Sequence, residues 1–183
     1  MRVIGIDPGY AKAGKGCACA FYDSTQGKVV LWFERPPNML CRLHFIYGTR
    51  LSYVVWEVPQ MDGRTWSVPP DVVIRLASDG ATLASLYACH DGRNCEIEAV
   101  TPSNSKGSVR KPIAHDRLLT RLTAWELAGV KRFIPDVVER VDAAVELGAQ
   151  DRWRKSGGLY YPRTWLGHNL LDALDLAHSR AHR

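Results

Sequence analysis

Asp7 ends a short apolar run, Val3-Ile4-Gly5-Ile6, and is followed at once by Pro8-Gly9. A second acid, Glu57, closes another apolar run from Leu51 to Trp56. Two more, Asp172 and Asp175, fall where Leu170, Leu174, Ala177 and Ala181 recur at helical spacing. Residues three apart share a helix face, so this last pair can point at one place. Several converging carboxylates repel one another and rise in pKa unless a cation compensates. Hard oxygen donors with high negative charge select Mg²⁺ or Mn²⁺. Two such ions can activate a water and stabilise the leaving oxygen of a phosphodiester. A plain structural role is open to each acid as well. Asp7 can be a turn residue, Glu57 a rim charge, and the Asp172/Asp175 pair a solvated helix face.

The chain carries a formal charge of +5 over 183 residues. That balance favours a polyanionic partner. Lys106, Arg110, Lys111, Arg117 and Arg121 form one basic cluster, and Arg152, Arg154, Lys155 and Arg163 a second. Trp153, Tyr160, Tyr161 and Trp165 interleave the second cluster. Cations mixed with aromatics suit phosphate contact and base stacking. The five cysteines lack the spacing of a zinc site, and read as free thiols of a reduced compartment. No apolar run approaches the ~20 residues of a membrane span, and the chain enters a strand without a secretory leader. A cytoplasmic protein without a membrane partner is expected.

The acids need a frame to hold them. One domain, 1–183, is expected from the length. Residues 2–7, 17–22 and 28–33 read as three strands joined by tight turns. Leu51 to Trp56 reads as a strand buried on both faces. A helix is expected over about 71–88, weakened at Gly80, then a strand over 95–100. Pro112 opens a helix from its first turn, with the apolar pattern running on to Leu127. Further helices are expected near 38–47, over 135–147 and from 168 to near the end, with 151–167 irregular. Three early strands followed by helix–strand alternation indicate an α/β fold with a mixed central sheet. The carboxyl ends of strands are where such sheets bind ligands.

These residues resemble a known family. Ile4-Gly5-Ile6-Asp7-Pro8-Gly9, Trp56-Glu57-Val58-Pro59-Gln60 and His168-Asn169-Leu170-Leu171-Asp172-Ala173-Leu174 look like motifs of the RuvC-like Holliday junction resolvases, compact phage-type members of the RNase H-like nuclease superfamily. Thr101-Pro102-Ser103-Asn104-Ser105-Lys106-Gly107, then Lys111, His115 and Arg117, resembles the stretch after the fifth strand of such proteins. Ser105 stands where a Trp is often found there. The resemblance implies an RNase H-like fold, with three antiparallel N-terminal strands, then parallel strands, and flanking helices. It implies a homodimer that nicks four-way DNA junctions using two Mg²⁺ or Mn²⁺ ions. Asp7, Glu57 and Asp172 would be metal-binding acids, and Lys106, Arg110, Lys111 and Arg117 would meet DNA. Two registers compete for the fourth ligand. One places it at Asp175, the stronger donor; the other, matching flanking residues better, places it at Asn169. Residues 126–166 have no counterpart and read as a family-specific insertion. The expected place is the cytoplasm, that of the host cell if the chain is phage-encoded.

Two other classes remain open. A catalytically inactive DNA-binding module could keep this fold and lose the metals. An ATPase or sugar kinase of the actin-like superfamily could share the first strand, but needs a second lobe and a second phosphate loop. A serine or cysteine hydrolase is disfavoured, because no Gly-x-Ser-x-Gly elbow is present.

Overall fold

In this computed structural model the described residues are 1–8, 16–36, 50–59, 69–90, 95–102, 104, 109, 111–134, 153–156, 159–162 and 167–183. The chain runs β1 (Arg2–Asp7), β2 (Cys17–Asp23), β3 (Lys28–Glu34), β4 (Tyr53–Glu57), α1 (Pro70–His90) and β5 (Glu96–Val100). It continues with α2 (Lys111–Arg121), α3 (Ala124–Phe133), β6 (Trp153–Ser156), β7 (Leu159–Pro162) and α4 (Gly167–Ala181). The helices expected near 38–47 and over 135–147 lie outside the described residues.

One five-stranded sheet, ordered β3-β2-β1-β4-β5, organises the molecule. β1, β2 and β3 pair antiparallel, whereas β4 and β5 run parallel to β1. This is the expected mixed sheet of an RNase H-like α/β fold. Alternation along each strand divides the interior into two cores. Val3, Ala18, Ala20, Tyr22, Val29, Leu31 and Val55 face α2, α3 and α4. Ile4, Ile6, Cys19, Phe21, Trp32 and Val54 face α1 through Leu83, Ala84 and Tyr87. β1 is buried along almost its whole length, which explains its unbroken apolar run.

Two glycines set how closely the helices approach. A Cβ at Gly5 would lie 1.9 Å from the carbonyl oxygen of Ala173, so α4 rests directly on the backbone of β1. On the opposite face, a Cβ at Gly80 would meet the Trp56 ring at 2.9 Å. Gly80 therefore does not weaken α1; it lets the helix seat on β4. By length and apolar content alone, Pro70–Cys89 could cross a bilayer, but here Leu83, Ala84 and Tyr87 are buried against the sheet.

Two expectations are corrected. The helix beginning at α2 does not run on through Leu127. Thr123 starts α3 with a capping box, its hydroxyl accepting from the Glu126 N–H while the Glu126 carboxylate accepts from the Thr123 N–H. That exchange satisfies donors at the helix start and favours a break. The stretch 151–167 is not wholly irregular either, because β6 and β7 pair as an antiparallel hairpin whose second strand lies beside α2.

A buried polar group pins α3 and α4 to the sheet far from the acids. The Tyr22 hydroxyl donates to Glu126 Oε1 at 2.6 Å and lies 2.9 Å from His182 Nε2. The His178 and His182 rings stack at 4.4 Å. Burial pushes the Tyr22 hydroxyl up, and its bond to Glu126 adds to that. Burial works to raise the Glu126 carboxyl, but the bonds from Tyr22 and Thr123 and the nearness of His178 outweigh it and hold the carboxyl low. Burial depresses His178, helped by His182 and Arg121 and opposed by Glu126.

Linkage gives each group a sign. Neutral His178 loses stability as pH falls below the ordinary imidazole value of 6.5 toward its depressed native value. Charged Glu126 holds its contribution above the ordinary carboxyl value of 4.5 and loses it below, as pH falls through its native value. Urea titrations from pH 8 to 3 should therefore show two acid-side declines. His178→Gln should flatten the upper one and Glu126→Gln the lower. Gly5→Ala should cost about 3 kcal/mol or more, because backbone must move to admit the methyl group; urea midpoints measure it.

Candidate active site

β1 and β4 are neighbours, and Ile6 pairs with Trp56. Asp7 and Glu57, the next residue on each strand, therefore stand side by side at the carboxyl edge. Asp7 shares its face with Gly5 and Val3, and Glu57 with Val55 and Tyr53. Both side chains thus project to the side of the sheet covered by α4. Both are buried, at 4% and 9% exposure.

α4 brings the third acid over the same edge. Ala173 lies on Gly5, and Asp172 precedes it. Further along, His178 and His182 meet Tyr22, which pairs with Val3 at the other end of β1. The helix therefore descends from the carboxyl edge, and Asp172 belongs to its upper half. Asp172 is fully buried, and its Oδ1 lies 2.9 Å from His115 Nε2 on α2. Six residues later on each helix, Arg121 exerts its charge on His178. α2 and α4 therefore run side by side in the same direction.

The two candidates for the fourth position separate along α4, each about 4.5 Å from Asp172 along the axis. Asn169 is buried, one turn toward the carboxyl edge. Asp175 lies one turn the other way, lining a small pocket with Val55, Val100, Ser179 and Arg180. Its Oδ1 accepts from the Ser179 hydroxyl at 3.5 Å. Among the cations, Arg117 is exposed on α2. Lys111 begins α2, its side chain lying outside the described residues, as do Lys106 and Arg110.

The donor chemistry suits a hard divalent ion, because carboxylate oxygens are what Mg²⁺ and Mn²⁺ take. The arrangement is open, however. Among the described residues, no three acidic, histidine or cysteine side chains stand where together they could hold a metal ion. Asp7 and Glu57 are brought together by the strands, while Asp172 is engaged by His115. Cys17 stands at the same edge, next to Ala18, which pairs with Asp7. Burial, then the charges of Asp79 and Asp7, push its thiol up to about 12, so it stays protonated.

His115 is the residue that motif reading did not assign to the site. Its signal was a titratable side chain within the buried stripe Ala114, Leu118, Leu119 of α2. A histidine there must find a polar partner, and the sequence could not say that the partner was Asp172.

No family model matches the chain, and no curated protein does. Among solved structures it is similar to Thermus thermophilus RuvC in complex with a Holliday junction substrate, at 15% identity and a TM-score of 0.45, covering 99% of this chain and 92% of that one. It is also similar to a further Thermus thermophilus RuvC structure, at 16% identity and a TM-score of 0.39, covering 99% and 93%. Likeness this distant assigns neither family nor activity.

His115→Ala should cost about 2 kcal/mol, because it removes a hydrogen bond to a buried carboxylate. Paired with Asp172→Asn in a double-mutant cycle, it should show coupling of the two positions in urea unfolding.

Proposed function

We propose that this chain is a metal-dependent endodeoxyribonuclease acting on branched DNA, a four-way junction being the substrate to try first. The observation that carries the reading is the buried carboxylate pair Asp7 and Glu57 on adjoining strand ends, with α4 placing Asp172 on the same side of the sheet. Two buried acids side by side are costly unless cations or hydrogen bonds offset their charge, and a hard divalent ion does so. Asp7, Glu57 and Asp172 would hold Mg²⁺ or Mn²⁺, two ions per site, with Asp175 or Asn169 as the fourth donor. When bound, the ions supply charge stabilisation for hydrolysis of a phosphodiester. The resemblance of the three motifs to RuvC-like resolvases supports the same chemistry.

The remaining residues take positioning and binding roles. His115 orients the Asp172 carboxylate from α2. Lys106, Arg110, Lys111 and Arg117 contact phosphates beside the acids, an attraction that weakens as salt rises. A homodimer would present two such edges to the two strands of a junction, in the cytoplasm.

A second reading is a DNA-binding module without cleavage. It is favoured by one observation, that the acids do not close into a metal-holding group among the described residues.

A labelled synthetic four-way junction separates the two readings. With Mg²⁺ or Mn²⁺ the wild-type protein should nick it, and Asp7→Asn or Glu57→Gln should abolish nicking while junction binding in EDTA persists. Nicking undiminished in Asp7→Asn would remove the proposed site, and binding without nicking under either ion would favour the second reading. Asn169→Ala and Asp175→Ala, compared for the Mg²⁺ concentration each requires, should identify the fourth donor.

A further inference from the structure

The exposed surface from Arg117 to Phe133 differs in kind from the rest of the described chain. Arg117, Arg121, Lys131 and Arg132 are all exposed, and Lys28 is exposed at the start of β3. No acidic side chain in α3 is exposed, because Glu126, its one acid, is buried with Tyr22 and Thr123. Amid these cations Trp125 is 74% exposed, the largest exposure among the described large apolar side chains, and Phe133 is 43% exposed. Trp125, Ala128 and Arg132 recur at helical spacing on the outer face of α3. The small Ala128 leaves space between the ring and the guanidinium.

Packing does not explain the tryptophan. Trp125 approaches the β2–β3 turn, where its ring edge is 3.4 Å from where a Gly27 Cβ would lie, and it is still 74% exposed. α3 is held to the sheet by other residues, Glu126 and Val130 facing inward and Gly129 lying against Val29. A large aromatic left in water, among cations and with no exposed acid on α3, is a poor choice for stability alone. It suits a polyanion that also carries flat apolar groups.

We infer that the outer face of α3, with Arg121 and Lys28, binds single-stranded nucleic acid, Trp125 stacking on a base while Arg121, Lys131 and Arg132 meet phosphates. Single strands offer unpaired bases to exposed aromatics, and a basic track follows their backbone. This surface is separate from the acid edge. Arg121 lies six residues along α2 from His115, about 9 Å of helix rise, and Trp125 lies beyond it. A strand leaving the carboxyl edge along α2 would pass Arg117 and Arg121 before reaching Trp125. The inference rests on the nucleic-acid reading above but does not require cleavage.

The test is fluorescence anisotropy with a labelled 20-nucleotide oligo-dT and a 20-base-pair duplex, in EDTA, at several salt concentrations. Trp125→Ala should weaken oligo-dT binding about 10-fold and change duplex binding little, with Trp125→Phe retaining most of the affinity. Lys131→Gln with Arg132→Gln should lower the salt slope for oligo-dT by about 0.7 for each phosphate that the variant no longer neutralises. Unchanged oligo-dT affinity in Trp125→Ala, or Trp125→Phe as weak as Trp125→Ala, would overturn the stacking role. A salt slope unchanged by the charge variants would overturn the phosphate contacts. A shift in sedimentation without change in oligo-dT binding would mark the face as a protein contact and overturn the inference. Oligo-dT binding lost in Trp125→Ala while Mg²⁺ gives no junction nicking would leave this inference standing and remove only the nuclease reading.

Discussion

Everything at the carboxyl edge depends on one close approach, that of α4 to the backbone of β1 at Gly5. Only the missing side chain allows the Ala173 carbonyl to come so near. Were the helix lifted by a methyl group, both Asp172 and the histidines around Tyr22 would shift with it. The same contact therefore serves two ends of the helix. Toward one end it carries Asp172 on the same side of the sheet as Asp7 and Glu57, and at the other it closes a polar core.

The edge is held from both faces. α1 packs beneath it through Gly80 against Trp56 and Pro8, while α2 and α4 cover the upper side. Asp7 and Glu57 thus stand at the ends of strands clamped between two apolar layers, which is how a sheet keeps charged side chains still. For the proposed hydrolysis rigid placement would matter, because such chemistry depends on fractions of an ångström in the position of each donor. His115 extends that principle to Asp172, which comes from a helix.

Much of this could be read from residue order. β1, β2 and β4 stand out as apolar runs buried almost throughout, and α1 and α4 as helically spaced apolar stripes. Asp7 and Glu57 were legible because each ends an apolar strand. Two features were hidden by competition between signals. Apolar Leu122 and Leu127 suggested one continuous helix, while the Thr123–Glu126 capping box, also present in the sequence, imposed a break. The β6–β7 hairpin was obscured because β6, Trp-Arg-Lys-Ser, lacks apolar alternation and β7 ends in a proline. The His115–Asp172 bond joins positions far apart in the chain, and no local period reports such a pair. Trp125 is hidden among neighbours that look like an ordinary amphipathic helix. Only its exposure in the folded chain separates it from a core residue.

One further feature bears on how the molecule behaves in company. β5 is an outer strand of the sheet, and its backbone could template pairing with another chain. Its sequence works against this, since Glu96 and Glu98 sit within only five residues. Glu98 is in turn held by Arg180 at 2.7 Å, which turns its charge toward α4. A short outer strand carrying acids resists accretion of further strands. It leaves the sheet a finite object rather than a template for further strands.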